Sequence, residues 1–284
     1  MTIKSFFIGR NGYVSSYLRM KSIPNSYFSS SKLGSDKLHL ELNNFKPEYL
    51  IILGGIINFI EIKKSLDKAI KVNVLDTIKT LEICKLNNII PIFISSESVF
   101  DGETGFYCEN SKPNPIFHYG EMKNQVEKYI QKNFKNYSII RFSKVYSINN
   151  QDNTLLWSLI KQADYGDTNM KLSSDSLFSP VSIEYIYEAF KKIVKSQNLP
   201  HFLHLSGIEF YSREGLADLY NSLINGKLHK LRFTICKHHE IPEVAYQPKK
   251  TNLISDKTRS FLKIKPDKLS DNLQKIIQKK ILFN

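Results

Sequence analysis

With 284 residues, 42% of them hydrophobic, the chain is long enough to bury a full core in one large domain or two unequal ones, and too apolar for a disordered segment. The formal net charge of +13 invites a nucleic-acid reading, but the basic residues are spread along the chain, and no zinc-finger or RNA-recognition signature is present; the charge is left to attract small anionic ligands. Cys84, Cys108 and Cys236 are widely spaced and odd in number, which fits reduced cytosolic thiols and offers no metal-ligand spacing.

The amino terminus runs almost directly into the apolar stretch Phe6 to Ile8, which reads as a first strand and not as a leader. The longest apolar run, Tyr49 to Ile57, falls far short of the roughly 20 residues that cross a bilayer. A soluble, cytoplasmic protein with no membrane partner is expected.

Ile3 to Ile8 is followed by Gly9, Arg10, Asn11 and Gly12, and then by Tyr13 to Met20, which reads as a helix. A glycine turn between strand and helix lets backbone N–H groups and the helix dipole face a pyrophosphate. The next strand is poor: Tyr27 and Phe28, then Ser29, Ser30, Ser31 and Lys32. An NAD-selective site carries an acid about 20 residues after the glycines. Here hydroxyls and a lysine stand there, and the first acid is Asp36, which suits a phosphate and favours NADPH over NADH.

Tyr49 to Leu53 is a buried strand ending in Gly54 and Gly55, and Val74, Leu75, Ile78 and Leu81 give a helix over Lys71 to Leu86. Ile89 to Ile94 has the length and β-branching of a buried parallel strand and stops in Ser95 and Ser96. Tyr119 and Lys123 then open a helix marked by Met122, Val126, Tyr129 and Ile130, with both side chains on one face. Tyr137 to Phe142 is read as the sixth core strand. Beyond it come a helix over Gln151 to Gln162, an amphipathic helix over Glu184 to Lys195, and a strand over His201 to Leu205. A helix through Asn221, a strand over Leu231 to Ile235 and terminal helices follow. His201 and His204, three apart on a strand, point to opposite faces, which rules against a shared metal.

The trio Ser96, Tyr119 and Lys123 points to proton transfer. A free tyrosine keeps its proton to roughly pH 10, so a nearby ammonium is what makes it exchange protons at neutral pH, while a serine hydroxyl holds a carbonyl oxygen against the phenol. Tyr17 with Lys21, Tyr187 with Lys191 and Tyr246 with Lys250 share the spacing, but none follows a buried strand that ends in paired serines.

The stretch ISSESVFDG, a long loop with Pro113 and Pro115, and YGEMK together resemble the extended short-chain dehydrogenase/reductase family, and within it the dTDP-4-dehydrorhamnose reductases. The resemblance runs loosely over nearly the whole chain. Beside that family the span from Ser22 to Pro47 is short, as if one strand-helix unit were trimmed. It implies an α/β fold, a Rossmann-like doubly wound parallel sheet with a smaller C-terminal α/β substrate-binding lobe. On this reading 1–150 and 181–208 form the dinucleotide domain, and 151–180 with 209–284 the substrate lobe. It assigns Ser96, Tyr119 and Lys123 to catalysis. Gly9, Arg10, Asn11, Gly12, Tyr13, Val14, Ser30, Lys32, Gly54, Gly55, Asn73, Ser95 and Ser143, with Tyr119 and Lys123, go to the dinucleotide. Ser96, Glu97, Ser98, Phe100 and Ser176 go to the substrate. Arg10 sits where relatives contact a 2′-phosphate. The implied partner is a nucleotide sugar whose 4-keto group is reduced in polysaccharide biosynthesis, and relatives are often homodimers.

The chain departs from the family at Ser15, where the pattern G-x-x-G-x-x-G has its third glycine, at Glu97 and Ser98, which replace an aspartate and a tyrosine, and at Gln247 in QPKKTNL, where an arginine commonly precedes the proline. These departures keep open a catalytically idle dinucleotide-binding subunit that regulates a partner enzyme. An epimerase-reductase needs a further acid and base, and Glu97 stands where such relatives carry cysteine; Cys108 and His118 read as ordinary loop residues.

Overall fold

The computed structural model describes residues 2–149, 154–166 and 170–283. In chain order it contains β1 (Ser5–Ile8), α1 (Tyr13–Met20), β2 (Ser26–Ser29), α2 (Asp36–Phe45), β3 (Tyr49–Ile52), α3 (Phe59–Lys64), α4 (Leu66–Ile70), α5 (Asp76–Leu86), β4 (Ile90–Ser96) and α6 (His118–Asn133). It continues with β5 (Ser138–Phe142), β6 (Val145–Tyr146), α7 (Leu155–Tyr165), β7 (Met170–Ser173), β8 (Val181–Ser182), α8 (Ile183–Ile193), β9 (Phe202–Leu205), α9 (Arg213–Leu223), β10 (Phe233–Cys236), α10 (Asp256–Leu262) and α11 (Leu269–Phe283). The strand over Tyr137 to Phe142 is therefore fifth in order. The helix expected from Gln151 begins at Leu155, and Gln151 to Asn153 lie outside the described residues.

The chain divides into two compact units. The first takes Met1–Val99, Pro113–Arg141 and Tyr187–Leu203, and the second Phe100–Lys112, Phe142–Ile186 and His204–Asn284. A six-stranded sheet runs in the order β2-β1-β3-β4-β5-β9, with β1 parallel to β2 and β3, and β3 parallel to β4. Because β2 lies on one side of β1 and β3 on the other, the crossovers reverse direction at β1/β3, where the carboxyl ends open a crevice. This is the doubly wound α/β arrangement expected. The short span after Ser22 still builds both β2 and a ten-residue α2, capped by Ser35, whose Oγ accepts from Leu38 N at 3.3 Å.

Both sheet faces of the first unit are covered, which is why its strands read as continuous apolar runs. Phe6, Ile8, Leu50, Ile52 and Phe93 pack with Leu81, Val126 and Ile130. Phe7 faces the other way, stacked on Phe28 at 4.4 Å and 5.8 Å from Phe190 of α8. A buried ion pair joins α6 to β5: Arg141 Nη2 donates to Glu127 Oε2 at 2.7 Å and Nε donates to Oε1 at 3.1 Å, with the side chains 1% and 0% exposed. Ser95 Oγ donates to the same Oε1 at 2.5 Å.

The second unit is built on two short parallel ladders, β6 with β8 and β7 with β10, and a core in which Trp157, Phe178, Tyr220, Leu273 and Ile276 are buried. The QPKKTNL segment is threaded through it by main-chain bonds, Lys250 N to Gly102 O at 3.0 Å and Thr251 N to Leu177 O at 2.7 Å. A Cβ on Gly102 would lie 2.5 Å from Pro248 Cβ, so the segment is clamped where only hydrogen fits.

Removing one member of a buried, bidentate ion pair leaves an uncompensated charge. Glu127→Ala is expected to lower unfolding free energy by about 3–5 kcal/mol, read by urea denaturation. The double variant Glu127→Leu, Arg141→Met should lose less than the sum of its single changes, and strict additivity would show that the pair is not coupled.

Candidate active site

Gly9 ends β1 with φ +100°, a backbone state that favours glycine, and a Cβ there would lie 2.6 Å from Gly54 N. The turns after β1 and β3 thus meet backbone to backbone at the switch point of the sheet, a contact that needs glycine at Gly9, while a Cβ on Gly54 would come no nearer than 3.5 Å to its neighbours. Gly12 N donates to Gly9 O at 2.9 Å and closes the turn, after which α1 starts with no acidic residue in its first turn. Arg10, Asn11 and Gly12 are exposed, and Tyr13 and Val14 are half-buried. A helix N-terminus behind a tight glycine turn is a cradle for a pyrophosphate, so the residues present fit a dinucleotide.

Arg10 N donates to Ser29 O at 3.4 Å, which brings Arg10 to the end of β2 with the exposed Ser30 and Lys32. A carboxylate that sequence distance does not point to is also there: Ser29 Oγ donates to Glu41 of α2. Ser15, in the place of the third glycine, is 1% exposed, and its hydroxyl has no partner among the described residues. Serine fits under the helix, at the cost of an unsatisfied oxygen.

Gly55 is followed by a loop held from outside. Asn73 Oδ1 accepts from Ile56 N at 2.7 Å and its Nδ2 donates to Ile56 O at 2.8 Å. Asn73 sits in a π-helical turn, Lys71–Leu75, between α4 and α5, an irregularity that turns its side chain toward the loop. Its amide is committed to shaping the Gly54–Gly55 turn.

Strand alternation sends the two serines of β4 to different tasks. Ser95 binds Glu127 in the core, whereas Ser96 hydrogen-bonds the Tyr119 hydroxyl. Tyr119 and Lys123, 8% and 7% exposed, follow the start of α6. Lys123 Nζ donates to Ile94 O at 2.8 Å and lies 4.6 Å over the Phe93 ring and 5.8 Å from the centre of the Tyr119 ring. Sequence reasoning expects the ammonium to lower the tyrosine's pKa. Burial dominates instead and pushes the phenol up, with the Glu97 charge adding to the rise and the Ser96 hydrogen bond opposing it. Burial also draws Lys123 down to about 8, against the field of Glu127.

Two supporting residues escape a reading of the sequence. Gly120 passes so close to the short turn Glu97–Val99 after β4 that a Cβ would overlap the Ser98 carbonyl oxygen, and this contact seats the Tyr119 turn against the strand exit. An isolated glycine inside a helical pattern is its signal. Phe59 of α3 packs against Tyr119 at 5.5 Å and Phe117 at 5.3 Å, forming an apolar wall beside the phenol.

Glu97 and Ser98 are buried beside the trio, and Ser98 N donates to Ser96 Oγ at 3.2 Å. The remaining expected residues fall in the second unit. Phe100 is 0% exposed and stacked on Tyr107 at 4.2 Å, a core position there and not a surface for a ligand. Ser143 Oγ accepts from Ser179 Oγ at 3.2 Å, and Ser176 Oγ accepts from Ser173 Oγ at 2.7 Å.

Residues 30–281 match the RmlD substrate binding domain family. A dTDP-4-dehydrorhamnose reductase of Sinorhizobium fredii (strain NBRC 101917 / NGR234) is 26% identical over 196 residues, 66% of this chain and 64% of the relative, so the alignment spans less than two thirds of that protein. The crystal structure of dTDP-4-dehydrorhamnose reductase from Bacillus anthracis str. Ames in complex with NADP superposes with a TM-score of 0.82 at 18% identity, covering 98% of this chain and 99% of that one. UDP-glucose 4-epimerase of Thermotoga maritima with UDP-glucose gives 0.75 at 14% identity, covering 98% and 99%. At these identities the likeness to solved structures is one of fold. The family match spans the second unit and most of the first, including Ser96, Tyr119 and Lys123: the chain belongs to the RmlD substrate binding domain family of extended short-chain dehydrogenases/reductases.

Proposed function

We propose that this protein is an oxidoreductase that reduces the 4-keto group of a nucleotide-activated 6-deoxy sugar, using NADPH, with the first unit holding the dinucleotide and the second the nucleotide part of the substrate. The observation that carries the reading is the Ser96 hydroxyl on the Tyr119 hydroxyl, with Lys123 one turn on, at the carboxyl end of a parallel sheet. Bound reduced dinucleotide supplies the hydride. Gly9, Gly12 and Gly54 admit its pyrophosphate, and Arg10 with Ser30 and Lys32 favours the 2′-phosphate.

Ser96 donates to the carbonyl oxygen and fixes it beside Tyr119. The phenol, kept protonated by burial, gives its proton to the alkoxide, a much stronger base, so the transfer runs downhill. Lys123 keeps its ammonium at neutral pH, held by the Ile94 carbonyl and by the field of Glu127, and stabilises the phenolate left behind. The product is an activated donor for polysaccharide assembly. A second reading, dinucleotide binding without turnover in a regulatory subunit, finds support in the unsatisfied Ser15 hydroxyl beneath α1.

Tyr119→Phe is expected to cut NADPH oxidation with 4-keto-6-deoxy nucleotide sugars by about 10²-fold or more while dinucleotide affinity holds within about twofold, since the change removes an acid and little area. Turnover near that of the unaltered protein sinks the mechanism. Saturable NADPH binding without turnover over a panel of such sugars favours the regulatory reading.

Arg10→Ala should weaken NADPH by about tenfold or more and NADH far less, measured by fluorescence titration. Equal losses for the two dinucleotides remove the 2′-phosphate argument.

A further inference from the structure

α6 has a second face for which the chemistry above has no use. At about 100° of rotation per residue, Glu121, Asn124, Gln125 and Lys128 stand on the side opposite Tyr119 and Lys123. They line a cleft of about 300 Å³ whose other wall is the loop 113–115, a volume at the small end for a ligand site. The loop is fixed in place: Asn114 N donates to Val99 O at 2.9 Å, and a Cβ on Gly120 would lie 3.0 Å from Pro115 Cβ. All of these residues belong to the first unit.

Asn124 is 7% exposed, and its carboxamide makes no hydrogen bond among the described residues. A carboxamide taken out of water is normally paired, since it carries two donors and an acceptor oxygen. The molecule shows twice what such a group does when its partner is present. Asn73 Oδ1 accepts from Ile56 N at 2.7 Å while Nδ2 donates to Ile56 O at 2.8 Å, and Asn221 Oδ1 accepts from Leu231 N at 2.9 Å while Nδ2 donates to Leu231 O at 3.0 Å. In each case one asparagine clamps both main-chain groups of a single residue outside any helix. Asn124 offers the same clamp and holds no such residue of its own chain. The cleft it lines is where one can arrive.

Glu121 and Lys128, both exposed, stand seven residues apart with Asn124 between them, about 10 Å along the helix axis. Glu121 Oε2 lies 3.1 Å from His118 Nδ1, itself exposed. A polyproline II chain repeats every three residues and rises about 9 Å in doing so, which puts its side chains i and i+3 on one side at nearly that separation. A cation at one and an acid at the other would meet Glu121 and Lys128, while a residue between them presents its main chain to Asn124. The rings of Pro113 and Pro115 give such a chain an apolar wall, and a segment already held in this conformation loses little entropy on docking.

We infer that the cleft between loop 113–115 and α6 binds a polyproline II segment of a partner protein that carries oppositely charged side chains three residues apart, with Asn124 as the clamp on its main chain. The site is separate from the reductase chemistry, and the inference stands whether or not that reading holds.

The test is fluorescence polarisation with two labelled hexapeptides, proline-arginine-proline-alanine-glutamate-proline and the same peptide with arginine and glutamate exchanged, since an extended chain can run either way along α6. A third, with glutamate at both charged positions, controls for attraction to the net charge of +13. One of the first two should bind with a Kd of about 10–100 µM, and the control at least about tenfold more weakly. Asn124→Leu removes the clamp at nearly constant volume. It should raise the Kd about tenfold, melt at or above the unaltered protein and keep its NADPH affinity. Exchanging the charges, Glu121→Lys with Lys128→Glu, should transfer the preference to the other peptide. No binding of either peptide up to about 1 mM, equal binding of the control, or full affinity in Asn124→Leu each overturns the inference. Should Asn124→Leu fail to fold, the charge exchange decides, because both of its residues are exposed: an unmoved preference overturns the inference.

Discussion

The carboxylate of Glu127 is the interaction on which the first unit turns. It is fully buried on α6, accepts from Ser95 of β4 and from both arms of Arg141 on β5, and lends its field to Lys123 one turn back along its own helix. An isolated buried carboxylate is among the most costly groups a fold can contain. With two strands donating to it, the cost is offset, and the reward is orientation: α6 is fixed in rotation about its own axis. The same rotation aims Tyr119 at Ser96. Gly120 sets the depth of that contact, because nothing larger than hydrogen passes the Ser98 carbonyl. Rotation and depth together determine where the phenol sits.

The electrostatics follow from how dry this place is. Burial raises the phenol and lowers the lysine, so each group is held nearer its neutral form, and the residual charge on Lys123 depends on Glu127 and the Ile94 carbonyl. Glu97 opposes phenolate formation from the other side. In such a setting the tyrosine stays protonated unless a strong base stands beside it.

The period-2 and period-3.6 patterns made β1, β3, β4 and α6 legible in the sequence, because strands covered on both faces are continuous apolar runs. Other features carry no such signature. Glu127 and Arg141 resemble solvent-facing charges until the packing removes them from water, and Asn124 resembles any polar residue of an exposed helix face. Phe100, taken for a wall of the substrate site, stacks on Tyr107 in the second unit's core. Its neighbours in the chain belong to the first unit, and the chain changes units between Val99 and Phe100. The π turn at Lys71–Leu75 was hidden for a different reason: its apolar spacing is close enough to that of an α-helix to be read as one.

The order in which the strands are made has a consequence for biosynthesis. The sheet is closed at one edge by β9, yet its neighbour β5 ends at Phe142, and the chain builds much of the second unit before Phe202. At about 5–20 residues per second, the roughly 60 intervening residues take on the order of 3–12 s to synthesise. During that interval β5 presents an unpaired, wholly buried-type strand edge to the ribosome's surroundings. The edge of β5 is thus the last of the sheet to be paired, and the sheet is complete only once the chain between Phe142 and Phe202 has been made.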